Sequence, residues 1–276
     1  MKIQAWAVAA FLAGLSCAQA QAVPDKFRSA GKIVIGTVAN YPPVTFKDPA
    51  TNTLSGYDID VGNAIGERLG VKVEWQETSF EQMISAVTTE RIDLVLAGMN
   101  DLPERRELID FVDYMQSGVQ YFVQQKRADE FKSAADLCGK TVGASRRTNF
   151  PKEIESWSQD NCVKAGKPAI KVLGTEGSAD ARAQLRQGRI DAGAQGNETL
   201  PYLMSLEPNT YKLLGEPYAM TYQGIGVSKK NSGLRDAVAA ALQAMIADGS
   251  YQKIVDKYGV QPSAVKRVAI NGKTLD

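Results

Sequence analysis

The chain says nearly the same thing twice, and this constrains its fold more than any other feature. Gly31-Lys32-Ile33-Val34-Ile35-Gly36 is echoed by Gly139-Lys140-Thr141-Val142-Gly143, and Glu90-Arg91-Ile92-Asp93-Leu94-Val95-Leu96-Ala97-Gly98 by Gly188-Arg189-Ile190-Asp191-Ala192-Gly193-Ala194-Gln195-Gly196. Each copy opens with a short apolar strand after Gly-Lys and later runs a helix into an Arg-Ile-Asp turn and another strand. Strand and helix alternate within each half, which predicts two α/β lobes, each a mostly parallel sheet flanked by helices. Ligand chemistry in such sheets sits at the carboxyl ends of the strands, so the cleft between the lobes is the expected site.

Residues 1–22 read as an export signal: Lys2 supplies the charged start, Ala5 to Leu15 the apolar stretch, and Ala18-Gln19-Ala20 or Ala20-Gln21-Ala22 the small-residue cleavage site. The apolar run is too short to anchor in a bilayer, and no other segment approaches ~18 uninterrupted apolar residues. The expected location is therefore the periplasm, as a soluble protein. Lipidation through Cys17 is the competing reading, weakened by Gly14 where an aliphatic residue is normal. Without the signal, roughly 250 residues remain, enough for two lobes that each bury a core.

Loss of Lys2 brings the 32 Lys and Arg level with the 31 Asp and Glu, and a neutral chain argues against nucleic acid or an anionic membrane as partner. Cys138 and Cys162 are the cysteines beyond the signal, and in an oxidising compartment such a pair reads as a disulfide, with two buried free thiols as the alternative. Histidine is absent altogether. That removes the commonest general base and the commonest metal ligand, so most hydrolase and zinc-enzyme readings lose support, and neither a metal nor a cofactor is expected.

Along the chain, apolar strands are expected at Lys32 to Val38, Val71 to Trp75 and Leu94 to Gly98, with a helix capped by Asp58 and another opened by a Ser79/Gln82 capping box. Gly118 to Val123 reads as the crossing into the second lobe and Tyr222 to Val227 as the return. The second lobe repeats the alternation, with strands at Thr141 to Ala144, Ile170 to Leu173 and Ala192 to Gln195, and helices from about Asn149 and from a Ser178 cap to Gly188. The expected division is 23–120 for the first part of lobe one, 121–221 for lobe two, and 222–276 for the return with two C-terminal amphipathic helices. Two crossings make a hinge, because both strands must bend together.

Gly56-Tyr57-Asp58-Ile59-Asp60, the run Ile92 to Asn100 followed by Pro103-Glu104-Arg105 and Phe111, and Asp248-Gly249-Ser250-Tyr251-Gln252-Lys253-Ile254 resemble the family-3 extracellular solute-binding proteins, the polar amino-acid-binding proteins of bacterial ABC importers. The resemblance spans nearly the whole mature chain in order. It implies a type II periplasmic binding protein with a two-strand hinge, expected to be monomeric and non-catalytic, that closes on an amino acid or related small carboxylate and delivers it to an ABC permease. A scaffold-derived enzyme, such as a periplasmic cyclohexadienyl dehydratase using Glu198 or Asp101 as acid, is the alternative; a sensor module docking on a membrane receptor is another.

The resemblance also implies residue roles. Arg105, six residues before Phe111, matches the carboxylate-binding arginine, whose planar fork can hold both oxygens; Arg106 does not keep that spacing. Gly98 and Asn100 match positions offering backbone and polar groups at a strand end, with Asn100 where Ser or Thr is usual and Leu102 where Thr is usual. Tyr41 and Phe80 match aromatics that sandwich the ligand, though Phe80 also suits the core of an amphipathic helix. In lobe two, Thr148 is retained beside Asn149 while Arg147 replaces a glycine, and whether Arg146 and Arg147 face the cleft stays open. Gly196 falls where many relatives place an ammonium-binding Asp, leaving Asn197 and Glu198 next in line and the need for a free ammonium undecided.

Overall fold

A computed structural model describes residues 23–275; the expected export signal, with Cys17, lies outside them. The strands of the first half are β1 (Lys32–Thr37), β2 (Asn40–Tyr41), β3 (Thr45–Lys47), β4 (Leu54–Ser55), β5 (Lys72–Glu77), β6 (Leu94–Val95) and β7 (Ile109–Gln124). Then follow β8 (Thr141–Ser145), β9 (Lys171–Thr175), β10 (Ala192–Gly196), β11 (Tyr211–Ser228), β12 (Ala264–Ile270) and β13 (Lys273–Thr274).

The duplication has a side-chain cause. In lobe one the Asp93 carboxylate accepts the Val34 N–H at 2.8 Å, and in lobe two Asp191 accepts the Thr141 N–H at 2.9 Å. A β-carbon added at Gly36 would meet Ile92 Cδ1 at 2.4 Å, and one added at Gly143 would meet Ile190 Cδ1 at 2.5 Å. Each Arg-Ile-Asp turn thus locks onto its own first strand, the isoleucine filling the space above a glycine and the aspartate closing a backbone donor. These contacts pair Val34 with Thr141, so the Gly-Lys echo is one residue out of structural register.

The main sheet runs β5-β1-β6-β11-β7-β10-β8-β9. β1 lies parallel between β5 and β6, and β8 parallel between β9 and β10. Between these triplets, β7 and β11 pair antiparallel from Tyr211 opposite Gln124 to Ser228 opposite Ile109, with register shifts between Leu214 and Gly224. The crossings therefore lie within two long strands that serve both lobes, and the disrupted pairing lies where a hinge must bend. Each lobe has its own apolar core. Ile33, Ile35, Val61, Ile65 and Leu94 pack with Leu234, Val238, Leu242 and Val255 of the C-terminal helices Ser232–Ala247 and Ser250–Tyr258. Val142, Ala144, Ile154, Phe131 and Leu137 fill the second.

Local expectations fail in three places. Asp58 is not a cap: Gly56 precedes the helix Tyr57–Leu69, and Asp58 is fully buried inside its first turn. The Ser79/Gln82 box does not form, because Phe80–Gln82 is a tight 3₁₀ turn before the helix Met83–Thr88 and Ser79 makes no cap bond. Gly177 rather than Ser178 precedes the helix Ser178–Arg186. β12, which pairs antiparallel with β7, carries no alternation long enough to announce itself.

Cys138 and Cys162 are joined, with Cα atoms 5.5 Å apart. The bridge ties the turn before β8 to the end of the helix Phe150–Asn161 across 24 residues of sequence, a loop whose closure stabilises by about 3 kcal/mol in chain-entropy terms. Unfolded oxidised protein lacking residues 1–22 should therefore show no reactive Cys138 or Cys162, and reduction should lower the melting temperature of the ligand-free protein; two reactive thiols before reduction would contradict the bridge.

Candidate functional site

A cleft of about 620 Å³ opens between the lobes. Its lobe-one wall carries Asn40, Tyr41, Phe80, Gly98, Asn100 and Arg105; lobe two contributes Arg147, Thr148, Asn149 and the start of the helix Ser178–Arg186.

Arg105 stands in the short helix Pro103–Arg106, and the preceding turn is fastened to the hinge. The Asp101 N–H donates to the Tyr222 carbonyl at 2.8 Å, and the Gly224 N–H to the Met99 carbonyl at 3.0 Å. The Arg105 guanidinium donates to the Asn100 carbonyl at 2.8 Å and lies 5.5 Å from the centre of the Phe80 ring. Burial works against its charge, with Glu104 and Asp101 nearby restoring part of it. No carboxylate among the described residues pairs with it. Arg106 instead grips Asp101 through two bonds of 2.6 and 2.9 Å and does not line the cleft. Two adjacent arginines thus differ completely in what their forks hold, which leaves Arg105 the one able to receive an anion.

Phe80 both lines the cleft and packs on the core formed by Met83, Val87 and Ile92, so the two readings of that residue coexist. Gly98 sits at φ 58°, where a side chain is strained, and an added β-carbon would press on the Tyr41 ring at 3.2 Å. Its N–H is already donated to Asp58 at 2.9 Å, so it does not offer that group to a ligand. Asn100 donates through Nδ2 to Asn149 Oδ1 at 2.8 Å, a hydrogen bond across the cleft from one lobe to the other. Thr148 accepts the Phe150 N–H and donates to the Ser145 carbonyl, which closes the turn that begins the helix Phe150–Asn161.

The arginine pair divides. Arg147 lines the cleft and bridges the lobes, its Nε 2.6 Å from Glu81 and its Nη2 2.9 Å from Glu176. Arg146 pairs with Glu176 and is absent from the lining.

Gly196 and Asn197 lie away from the cleft lining. A β-carbon at Gly196 would fall 2.3 Å from both the Tyr41 hydroxyl and Glu198 Oε1, so the space a side chain there needs is already filled. Asn197 accepts the Gly118 N–H at 2.7 Å and donates to Ser263 at 3.3 Å, tying the hinge to a C-terminal turn. Glu198 is the hub that the sequence did not reveal. It is buried and accepts from Tyr41 Oη at 2.6 Å, Ser117 Oγ at 2.7 Å and Gln223 Nε2 at 3.0 Å, so one carboxylate joins a cleft aromatic to both crossing strands. Burial pushes it above the usual carboxylate range against those three donors. Asp58, nearby, accepts from Tyr114 Oη at 2.6 Å as well as from Gly98, and burial raises it to about 7. The sequence marked Glu198 as next in line after Gly196 and as a candidate acid, and carried no sign of its partners Tyr41, Ser117 and Gln223.

The family model described as "Bacterial extracellular solute-binding proteins, family 3" matches residues 33–261. Among curated relatives, the L-cystine-binding protein TcyA of Bacillus subtilis is 31% identical, with 83% of this chain and 81% of that protein covered. The L-arginine-binding protein of Pseudomonas aeruginosa is 30% identical, covering 81% and 86%. Among solved structures, an ancestral arginine-binding protein bound to arginine superposes with a TM-score of 0.73 at 34% identity, covering 83% of this chain and 98% of that one. The ancestral amino acid-binding protein AncCDT-1, a precursor of cyclohexadienyl dehydratase, gives 0.71 at 28% identity, covering 85% and 98%.

Proposed function

The chain belongs to family 3 of the bacterial extracellular solute-binding proteins, and on that premise we propose that it is a periplasmic binding protein of an ABC importer that closes on an amino acid or related small carboxylate and presents it to the membrane permease. The observation that carries this is Arg105: a largely buried guanidinium in the interlobe cleft with no carboxylate partner among the described residues. The solute carboxylate takes the fork of Arg105, its adjoining carbon skeleton lies against Tyr41 and Phe80, and Thr148 and Asn149 meet it from lobe two. Contacts from both lobes exist together only in the closed form, so binding shifts the open–closed equilibrium. Export by residues 1–22 supplies the compartment, and among the described residues no helix is long and apolar enough to cross a membrane.

Binding is favoured over catalysis because neither candidate acid is available to a cleft substrate. Asp101 is held in two bonds by Arg106, and Glu198 is enclosed by three donors and does not line the cleft. The named relatives are an L-cystine-binding protein and an L-arginine-binding protein, which supports the same choice. The test is a thermal-shift screen of refolded, ligand-stripped protein against amino acids, opines, dicarboxylates and prephenate. A solute at ~100 times its Kd adds ~2.7 kcal/mol of stability and a clear rise in melting temperature. Turnover of prephenate would defeat the binding-only reading.

A further inference from the structure

Arg147 belongs to lobe two and takes a carboxylate from lobe one. It stands in the turn between β8 and the helix Phe150–Asn161, with its Nε 2.6 Å from Glu81 Oε1 and its Nη2 2.9 Å from Glu176 Oε2. Glu176, in the turn after β9, also pairs with Arg146. Charges therefore alternate along the row Glu81, Arg147, Glu176, Arg146, and its first member alone belongs to lobe one. Among the described residues no other ion pair joins one lobe to the other. A glycine, the residue of the family pattern at position 147, could form neither bond of that guanidinium.

Glu176 can hold Arg147 in place while the cleft is open, since both are lobe-two residues, so less side-chain freedom is lost when Glu81 arrives. Two carboxylates on one guanidinium leave it no net positive charge for a solute anion, whereas Arg105 has no carboxylate partner among the described residues. Glu81 does not line the cleft, but it follows Phe80, which does, in the 3₁₀ turn Phe80–Gln82. Its capture by lobe two thus fastens the turn that sets the Phe80 ring 5.5 Å from the Arg105 guanidinium. Side-chain exposures of 40% for Arg147 and 48% for Glu81 put the pair at the rim, where water and salt reach it and it can part as the lobes open.

Resting on the solute-binding reading above, we propose that Arg147 is a positioning residue whose ion pair with Glu81 latches the lobes together across the rim of the cleft and sets how long a solute stays. The latch forms after entry, so it slows release and leaves association nearly unchanged.

The experiment is stopped-flow measurement of association and release on protein lacking residues 1–22, as wild type, Glu81→Gln, Arg147→Gln and the double variant, at low and high salt. The first probe is L-glutamine, which has no net charge and is steered little by the substitutions; L-histidine, L-arginine and L-cystine follow in that order if it does not bind. Glu81→Gln is expected to release the probe about fivefold faster than wild type at low salt, and high salt to remove most of that difference. The double variant is expected to release no faster than Arg147→Gln, because both changes remove the same bond. Unchanged release from folded Glu81→Gln overturns the latch and leaves the solute-binding reading standing. Effects that add in the double variant also overturn it, since Arg147 would then act on the solute and not through Glu81. Failure of all four probes to bind wild type overturns the amino-acid reading beneath the proposal, and the proposal with it.

Discussion

Arg105→Ala is expected to weaken solute binding on the order of 100-fold or more while the ligand-free melting temperature stays within a few degrees of wild type. Truncating one partner of a desolvated charge pair costs roughly 2–5 kcal/mol, much of it from stranding the other charge. Arg105's contacts within the protein are few, a bond to the Asn100 carbonyl and packing on Phe80, so the fold loses little. Arg105→Lys should recover only part of the affinity, since an ammonium offers a point charge in place of the fork. The neighbour supplies the control. Arg106→Ala strands the fully buried Asp101 carboxylate and should cost roughly 3 kcal/mol of stability, the low end for a broken buried pair because Arg106 is itself about one-third exposed. Binding should then persist. Titration calorimetry and melting curves on both variants separate the two roles, and Arg105→Ala binding within threefold of wild type would sink the carboxylate assignment.

That two adjacent arginines can be told apart reflects what sequence carries well. The Arg-Ile-Asp turns were visible because their contacts are local to one βαβ unit, with aspartate on a backbone N–H and isoleucine over a glycine, and both repeat. The strand alternation follows from the same periodicity, and the resemblance to the family pattern, through the spacing from Arg105 to Phe111, singled out the arginine that lines the cleft from the one that grips Asp101. Sequence carried poorly whatever depends on partners far along the chain. Asp58 at a helix start looks like a cap, yet its partners are Tyr114 and Gly98, 56 and 40 residues away. Glu198 looks like an acid in a turn until Tyr41, 157 residues earlier, closes on it. Gly196, which reads as a lost ligand contact, is a glycine because Tyr41 and Glu198 occupy its side-chain space.

The same hidden acids give the protein an unusual dependence on pH. Asp58 is raised from 3.8 to about 7, chiefly by burial and against the pull of the Tyr114 hydroxyl and the Gly98 N–H, with Glu198 adding repulsion. A folded-state pKa above the unfolded value means that the native protein holds the proton more tightly. Stability is therefore greatest below the unfolded pKa, falls as pH rises through about 4 to 7, and is flat above the folded pKa. Glu198 acts in the same direction, and so does Asp113, which burial beside Asp101 lifts to about 8. Carboxylates held low, such as Asp248 at about 2, have completed their opposite contribution before this window opens. Asp58→Asn removes one titration and keeps the shape, since its carbonyl can accept from Gly98 while its amide donates to the Tyr114 oxygen. Relative to wild type, Asp58→Asn should gain on the order of 3 kcal/mol between pH 4.5 and 7.5, at ~1.4 kcal/mol per unit over the steepest part. Urea unfolding of both proteins across that range measures the difference, and a gap that stays constant with pH would mean that Asp58 is ionised in the native protein throughout.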